Sequence, residues 1–294
     1  MSDTFAIEAF AKINLSLFVG PTMPDGRHEL VTVMDSLTLA DHVTLTVGPA
    51  GLDADEVGCP GVDGPNIAAA AIAAFRERTG WDGPPVRVQI TKRIPVAGGM
   101  AGGSADAAAV LRLLAAAAEI EDPRLLEEIA AGLGSDVPSQ VRGGPLLATG
   151  IGERLRPLSH LEPYSALVLP VAAQLPTGEV YAEADRLGIP RDALELARAL
   201  TRTQGALSSQ TLLEQVHNDL EPAARSLCPA IDEALDGARR AGSDQAMVAG
   251  SGPTVIGLFV GDLHLERAAA GHAALAAQGR SPAAILAQPA GPDE

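Results

Sequence analysis

The run Ile94-Pro95-Val96-Ala97-Gly98-Gly99-Met100-Ala101-Gly102-Gly103-Ser104-Ala105-Asp106 stands directly before a long Ala/Leu segment that reaches Ile120. Its four glycines let the backbone approach a ligand closely and turn N–H groups toward it. In the segment that follows, Ala107, Leu111, Leu114 and Ala118 recur at helical spacing. A glycine loop opening a helix N-terminus, which carries about half a positive charge, makes a cradle for phosphate. The same glycines also suit a tight strand-to-helix connection with Ser104 as a plain N-cap. Neither GxxxxGK[ST] nor GxGxxG occurs in the chain. A Walker-type loop is therefore excluded and a dinucleotide-binding dehydrogenase disfavoured.

A formal charge of -16 over 294 residues argues against a nucleic-acid partner, whose affinity comes from clustered Lys and Arg. It also requires any polyphosphate site to draw positive potential from backbone dipoles, a few cations or a metal. Lys12 and Lys92 are the only lysines among 21 basic residues. The two cysteines, Cys59 and Cys228, form no CxxC pattern, and the six histidines show no ligand spacing. No metal site is therefore expected from the protein's own side chains, and the cysteine usage fits a reducing cytoplasm. With no signal-like N-terminus and no apolar run of spanning length, the expectation is a cytoplasmic protein without a membrane partner. The length suggests two lobes, with a boundary near residue 155.

The spacing predicts a half-buried strand over Phe5 to Val19, with Ala11, Ile13, Leu15 and Leu17 on one face and Lys12, Asn14 and Ser16 on the other. Leu30 to Leu39 reads as helix or strand, and Gly48 to Pro65 as loop. Asn66 and Gly80 are placed to cap a helix between them, Val86 to Ile90 alternates as a strand, and a shorter helix covers Pro123 to Leu133. Later strands are expected at Ser165 to Pro170, Met247-Val248 and Thr254 to Val260. Later helices are expected at Val180 to Leu187, Arg191 to Ala199, Ala230 to Ala241 and Leu263 to Gln278.

Pro95 through Ala108 resembles the PxxxGLGGSSAA signature of the GHMP kinases, with Met100 in the usual Leu position, Ala101 at a common Gly, and Ala105-Asp106 where Ser-Ser or Ser-Asn often follows. Phe10-Ala11-Lys12-Ile13-Asn14-Leu15 and Val248-Ala249-Gly250-Ser251-Gly252-Pro253-Thr254 resemble the family's other two blocks, in the same order. The resemblance implies a two-lobed α+β fold, with a ribosomal-protein-like N-terminal lobe and a ferredoxin-like C-terminal α/β lobe. It implies an ATP-binding domain over 1–155 and a C-terminal domain over 156–294, whose last segment can pack back on the first lobe. ATP and Mg2+ are the implied cofactors, and a monomer or homodimer the implied state.

Asp25-Gly26-Arg27-His28-Glu29-Leu30, Gly134-Ser135-Asp136-Val137-Pro138 and Asn218-Asp219-Leu220-Glu221-Pro222 resemble one branch in particular, whose acceptor is a cytidine diphosphate-linked methylerythritol. The implied reaction is phosphorylation of the acceptor's 2-hydroxyl in isoprenoid precursor supply. The implied catalytic pair is Lys12 and Asp136. Pro95 to Ala105 would hold the ATP phosphates, with Asn66 and Lys92 toward the nucleoside. Asn14, Arg27, His28, Thr177, Tyr181, Gly250, Ser251 and Gly252 would meet the acceptor. Arg27 stands where this branch usually has a base-stacking Tyr, and Ser139-Gln140 where Phe-Phe or Phe-Ala is commoner. Each residue also has an ordinary structural reading: Asp136 and Asn66 as caps, Lys12 and Lys92 as solvated charges, Tyr181 as helix packing. The alternatives are another GHMP kinase of homoserine or mevalonate type, and a nonenzymatic regulator on the same scaffold.

Overall fold

The computed structural model describes residues 3–62, 64–158, 161–204 and 209–291. The chain forms two compact units, the first from Met1–Ala11, Ala40–Val96 and Ala101–Gly143, the second from Lys12–Leu39, Ala97–Met100 and Gly144–Glu294. Strands β1 (Thr4–Thr22) and β2 (His28–Val47) contribute residues to both. The first unit holds β3 (Glu56–Gly58), α1 (Ile67–Thr79), β4 (Val86–Thr91), α2 (Gly102–Ala117), α3 (Pro123–Leu133) and α4 (Val137–Arg142). The second holds β5 (Leu146–Gly150), β6 (Arg154–Pro157), β7 (Tyr164–Leu169), α5 (Thr177–Leu187), α6 (Ala193–Thr203), α7 (Ser209–Gln215), β8 (His217–Asn218), α8 (Glu221–Leu227), α9 (Ala230–Arg240), β9 (Gln245–Val248), β10 (Val255–Val260), α10 (His264–Ala277) and β11 (Ile285–Ala287).

Two long strands depart from the expected pattern for one reason. Every residue of β1 from Ala11 to Gly20 is buried, so the strand is covered on both faces rather than one. In β2, residues 31–37 are buried without interruption. Covering both faces removes the apolar-polar alternation that marks a strand, so the spacing of Leu30 to Leu39 fits helix and strand alike. The segment is a strand, pairing antiparallel with β5 through Leu30↔Gly150 to Met34↔Leu146.

In the first unit, β4 pairs antiparallel with the C-terminal part of β2, and β3 lies parallel to β4 through Val57↔Val88. The short β3 thus interrupts the stretch expected to be loop. Asn66 caps α1 by accepting the Ala68 N–H, and Gly80 ends it in the left-handed region. Ala68, Ala71, Ile72 and Phe75 form its buried face. The long α2 is buried without a break from Ala105 to Leu111, and its small side chains let α1 and α2 pack closely. Asp122 caps α3, with Pro123 in the first turn where its missing N–H costs nothing.

In the second unit an antiparallel sheet runs β11-β7-β10-β9. Helices α9 and α10 pack on β7 and β10. Leu167, Leu169, Leu235, Phe259 and Leu275 share one apolar core with Leu17 and Val19 of β1. Burying each such side chain contributes roughly 1.5–3 kcal/mol. The two-residue β8 pairs parallel with β1, Ser16↔His217 and Leu17↔Asn218, which fixes Asn218 beside the strand that carries Lys12 and Asn14. Among the described residues no helix is long and apolar enough to cross a membrane.

Candidate active site

Lys12 and Asn14 are successive residues on one face of β1, and both are buried. Lys12 is therefore no solvated strand lysine. Its ammonium donates to Asn14 Oδ1 at 2.8 Å, Asn14 Nδ2 donates to Thr32 Oγ1 at 2.8 Å, and the Thr32 hydroxyl donates to Ser16 O at 2.6 Å. Because Asn14 accepts at one end and donates at the other, its amide has one orientation. The Lys12 N–H also donates to Met100 O at 3.2 Å, which ties the glycine loop to β1.

The loop meets a second turn backbone to backbone. A Cβ on Gly99 would lie 2.9 Å from Gly252 N and closer still to Ala249 O, while one on Gly250 would lie 2.8 Å from Gly99 O. Both residues have positive φ, so only glycine fits without strain. Asn218 holds the second turn, donating from Nδ2 to Val248 O at 2.8 Å and Gly250 O at 2.7 Å. Ser251 Oγ and Thr177 Oγ1 are 3.1 Å apart, so these two expected acceptor contacts meet each other.

Positive φ recurs at Ala97, Gly99 and Ala101. Alternation of backbone hand along such a loop turns successive N–H groups toward one side, a concavity suited to anions. Ala101 occupies the N-cap of α2 at φ 55 and offers no side-chain cap. The first bond of the helix runs from Ala105 N to Ala101 O, so the N–H groups of Gly102, Gly103 and Ser104 lack an intrahelical acceptor. Ser104 is thus in the first turn and is not the N-cap.

In the first unit, Lys92 is neither solvated nor a surface charge. Its ammonium is bound by Asp41 and by Asp106 Oδ2 at 2.7 Å, and the Asp41 carboxylate also accepts the Ile94 N–H at 2.9 Å. Burial lowers the Lys92 pKa, but the two carboxylates outweigh it and hold the value above that of an ordinary lysine. Burial pushes Asp106 up to about 7 against the opposing pull of Lys92. Asp106 Oδ1 is buried and has no hydrogen-bond partner among the described residues. Asn66, whose side chain caps α1, and Lys92 both act on the half-buried Cys59 thiol beside this cluster.

Asp136 occupies the N-cap position of the six-residue α4, yet its side chain makes no capping bond. The structure thus gives it the position of the ordinary reading without the role. Behind it, Ser139 and Gln140 are buried where aromatics are commoner. Ser139 Oγ donates to Asp136 O at 2.7 Å, and Gln140 O accepts from Arg112. The main chain thus satisfies Ser139 Oγ and one Arg112 nitrogen there, while Arg112 Nε is buried with no hydrogen-bond partner among the described residues.

His28 is buried, with its ring stacked on Tyr181 at a centroid distance of 5.3 Å and an angle of 27°. Its Nε2 lies 2.8 Å from Asp185 Oδ1 and 3.2 Å from Thr22 Oγ1. Arg27 is exposed, and its guanidinium folds back on Asp25 through Nε at 2.8 Å and a terminal nitrogen at 2.5 Å. The Arg27 contacts hold the Asp25 carboxyl below its usual range. The stacking position therefore carries a guanidinium already held by its neighbour in the turn.

The model of the GHMP kinases N terminal domain matches residues 66–145, and that of the GHMP kinases C terminal domain matches residues 191–281. The chain belongs to the GHMP kinase family. It is an ATP-dependent small-molecule kinase. Among the curated relatives of this GHMP kinase is a 4-diphosphocytidyl-2-C-methyl-D-erythritol kinase of Streptomyces coelicolor, 41% identical over 256 residues, 83% of this chain and 84% of that one. A protein of the same name from Anaeromyxobacter dehalogenans is 40% identical over 280 residues, 92% of this chain and 84% of the relative. A crystal structure of 4-(cytidine 5'-diphospho)-2C-methyl-D-erythritol kinase superimposes with a TM-score of 0.76 at 32% identity, covering 98% of this chain and 100% of that one. A homoserine kinase from Cytophaga hutchinsonii shares the fold at a TM-score of 0.70 and 17% identity, covering 98% and 95% of the two chains.

Residue reading missed Asp185, Asn218, Thr22 and the pairing of Lys92 with Asp41 and Asp106. Asp185 had a legible signal, since it follows Tyr181 by four residues and so shares its helix face. Asn218 fell within a block that resembles the family, but nothing local shows that its amide holds a turn 30 residues away.

Proposed function

We propose that this GHMP kinase transfers the γ-phosphoryl group of ATP to the 2-hydroxyl of 4-diphosphocytidyl-2-C-methyl-D-erythritol, releasing the 2-phosphate and ADP, in isoprenoid precursor supply. The observation that carries the choice of acceptor is the His28–Tyr181 stack, a buried hydrogen-bonding ring beside an aromatic face, in a chain about 41% identical to relatives of that name. A cytosine offers a π-face for stacking and an edge of donors and acceptors, which this pair suits.

The N–H groups of Gly102, Gly103 and Ser104, which lack an intrahelical acceptor, and the alternating hand from Ala97 to Ala101 fit the ATP phosphates. Pro95, Val96, Gly98, Met100 and Ala105 complete that loop. The buried, partnerless Asp106 Oδ1 beside Asn66 and Lys92 supports placing the nucleoside there. Ser104 supplies the loop's hydroxyl, which with the ATP phosphates would hold a magnesium ion, and that ion would supply neutralising charge to the phosphate oxygens. Lys12 supplies positive charge to the transferred group, its ammonium aimed by Asn14. Asp136, at the start of α4, accepts or orients the proton of the 2-hydroxyl. Gly250, Ser251, Gly252 and Thr177 approach the acceptor's diphosphate with main-chain N–H and hydroxyl groups.

ATP consumption measured with 4-diphosphocytidyl-2-C-methyl-D-erythritol, homoserine and mevalonate tests the acceptor, with turnover expected for the first alone. Asp136→Asn should lower kcat by about 100-fold or more while leaving the KM for ATP nearly unchanged. Near-normal turnover in that variant would remove Asp136 from the chemistry.

A further inference from the structure

Asp185 is a carboxylate with no part in the chemistry described above. It projects from α5 one helical turn beyond Tyr181, and its Oδ1 lies 2.8 Å from Nε2 of the buried His28 ring. Asp185 is itself half exposed, so the contact does not serve to satisfy a buried acid.

The contact decides where the imidazole proton resides. A carboxylate only accepts, so an Nε2 within hydrogen-bond distance of it must donate. The other neighbour of Nε2, the Thr22 hydroxyl at 3.2 Å, can donate or accept and so imposes no choice. In the neutral imidazole, a donating Nε2 leaves Nδ1 as an acceptor. Nδ1 has no hydrogen-bond partner among the described residues, and Tyr181 covers a face of the ring rather than this edge.

We propose that Asp185 is a positioning residue that fixes His28 with Nε2 protonated and Nδ1 accepting, so that the site selects a base presenting an amine over one presenting a carbonyl. This rests on the cytidine acceptor proposed above. Cytosine carries an exocyclic amine at C4 and donates to such a nitrogen. Uracil carries a carbonyl at the same carbon, and its lone pairs would face the Nδ1 lone pair. A site built to pair with one donor rejects an analogue lacking it more strongly than any loss of apolar contact would, because the buried partner is left unpaired. Stacking on Tyr181 does not distinguish the two pyrimidines, so the edge contact must carry the selection.

The test compares kcat/KM for the cytidine diphosphate-linked acceptor and its uridine counterpart in the wild-type enzyme, Asp185→Asn and Asp185→Glu. An asparagine can offer His28 either its carbonyl or its amine, so the tautomer is released. Asp185→Asn is expected to shrink the cytidine-to-uridine ratio by about tenfold or more, mainly through a higher acceptor KM, with the KM for ATP unchanged. Asp185→Glu, which keeps a carboxylate, should restore part of the ratio. Side-chain 15N resonances of His28 should report Nε2 protonation in the wild type and a tautomer mixture in Asp185→Asn, with no substrate present. A ratio within about twofold of wild type in Asp185→Asn would overturn this role, as would an unaltered tautomer. Wild-type enzyme that turns over neither acceptor would instead overturn the proposed function, and the base selection with it.

Discussion

A polar side chain is kept from water at little cost only where partners replace that water, and the second unit does this at two places. The Lys12 ammonium is met by Asn14, whose own amide is fixed by Thr32. The Asp35 carboxylate of β2 accepts the Tyr164 hydroxyl at 2.8 Å and the Ser36 N–H at 2.9 Å. Burial raises the Asp35 pKa from 3.8 to about 7, against the opposing pull of those two donors. Between these values the folded chain holds a proton on Asp35 that the unfolded chain has lost, so the contribution of this group to stability is full below pH 3.8 and is lost as pH rises toward 7. The loss from this group is about 4 kcal/mol across that window. The Tyr164 hydroxyl favours the ionised form, so Tyr164→Phe should cost more at pH 8, about 2 kcal/mol, than at pH 5, about 1 kcal/mol. Urea denaturation midpoints at the two pH values measure the difference. An equal loss at both would mean that the phenol does not support the ionised carboxylate.

The glycine loop and the turn between β9 and β10 depend on each other's main chain. In Gly99→Ala the added methyl would strike Ala249 O and crowd Gly252 N, at a φ of 78 that already disfavours alanine. Gly26 has φ 83 but nothing within 4 Å of the added carbon, so Gly26→Ala carries backbone strain alone. Thermal melts should show a loss of about 1 kcal/mol for Gly26→Ala and about 3 kcal/mol or more for Gly99→Ala. The same contrast explains which elements could be read from sequence. Asn66, Gly80, Asp122 and Pro123 announce α1 and α3 because caps act locally. β3 and β8 have three and two residues, and each exists because a partner strand lies beside it. The loop and the Lys12-Asn14 pair were legible as motifs. The His28–Asp185 contact joins residues 157 positions apart, and no spacing rule reaches that far.

At the scale of the molecule, a formal charge of -16 opposes the approach of ATP and of the proposed diphosphate acceptor, although the groups that would receive them are N–H donors and a lysine. Long-range and short-range electrostatics therefore have opposite signs. At about 10 mM ionic strength the screening length is about 30 Å, and an approaching anion feels the net charge. At about 150 mM it is about 8 Å, and the loop's N–H groups dominate. Raising salt from the lower to the higher value at constant free Mg2+ should thus raise kcat/KM for ATP, by roughly twofold. Further salt should reverse the trend as the contacts themselves are screened. A monotonic fall from the lowest salt would show instead that local positive potential already outweighs the acidic surface at every distance. Stopped-flow measurement of nucleotide association over the same range would place the effect in the on-rate, where a long-range field acts.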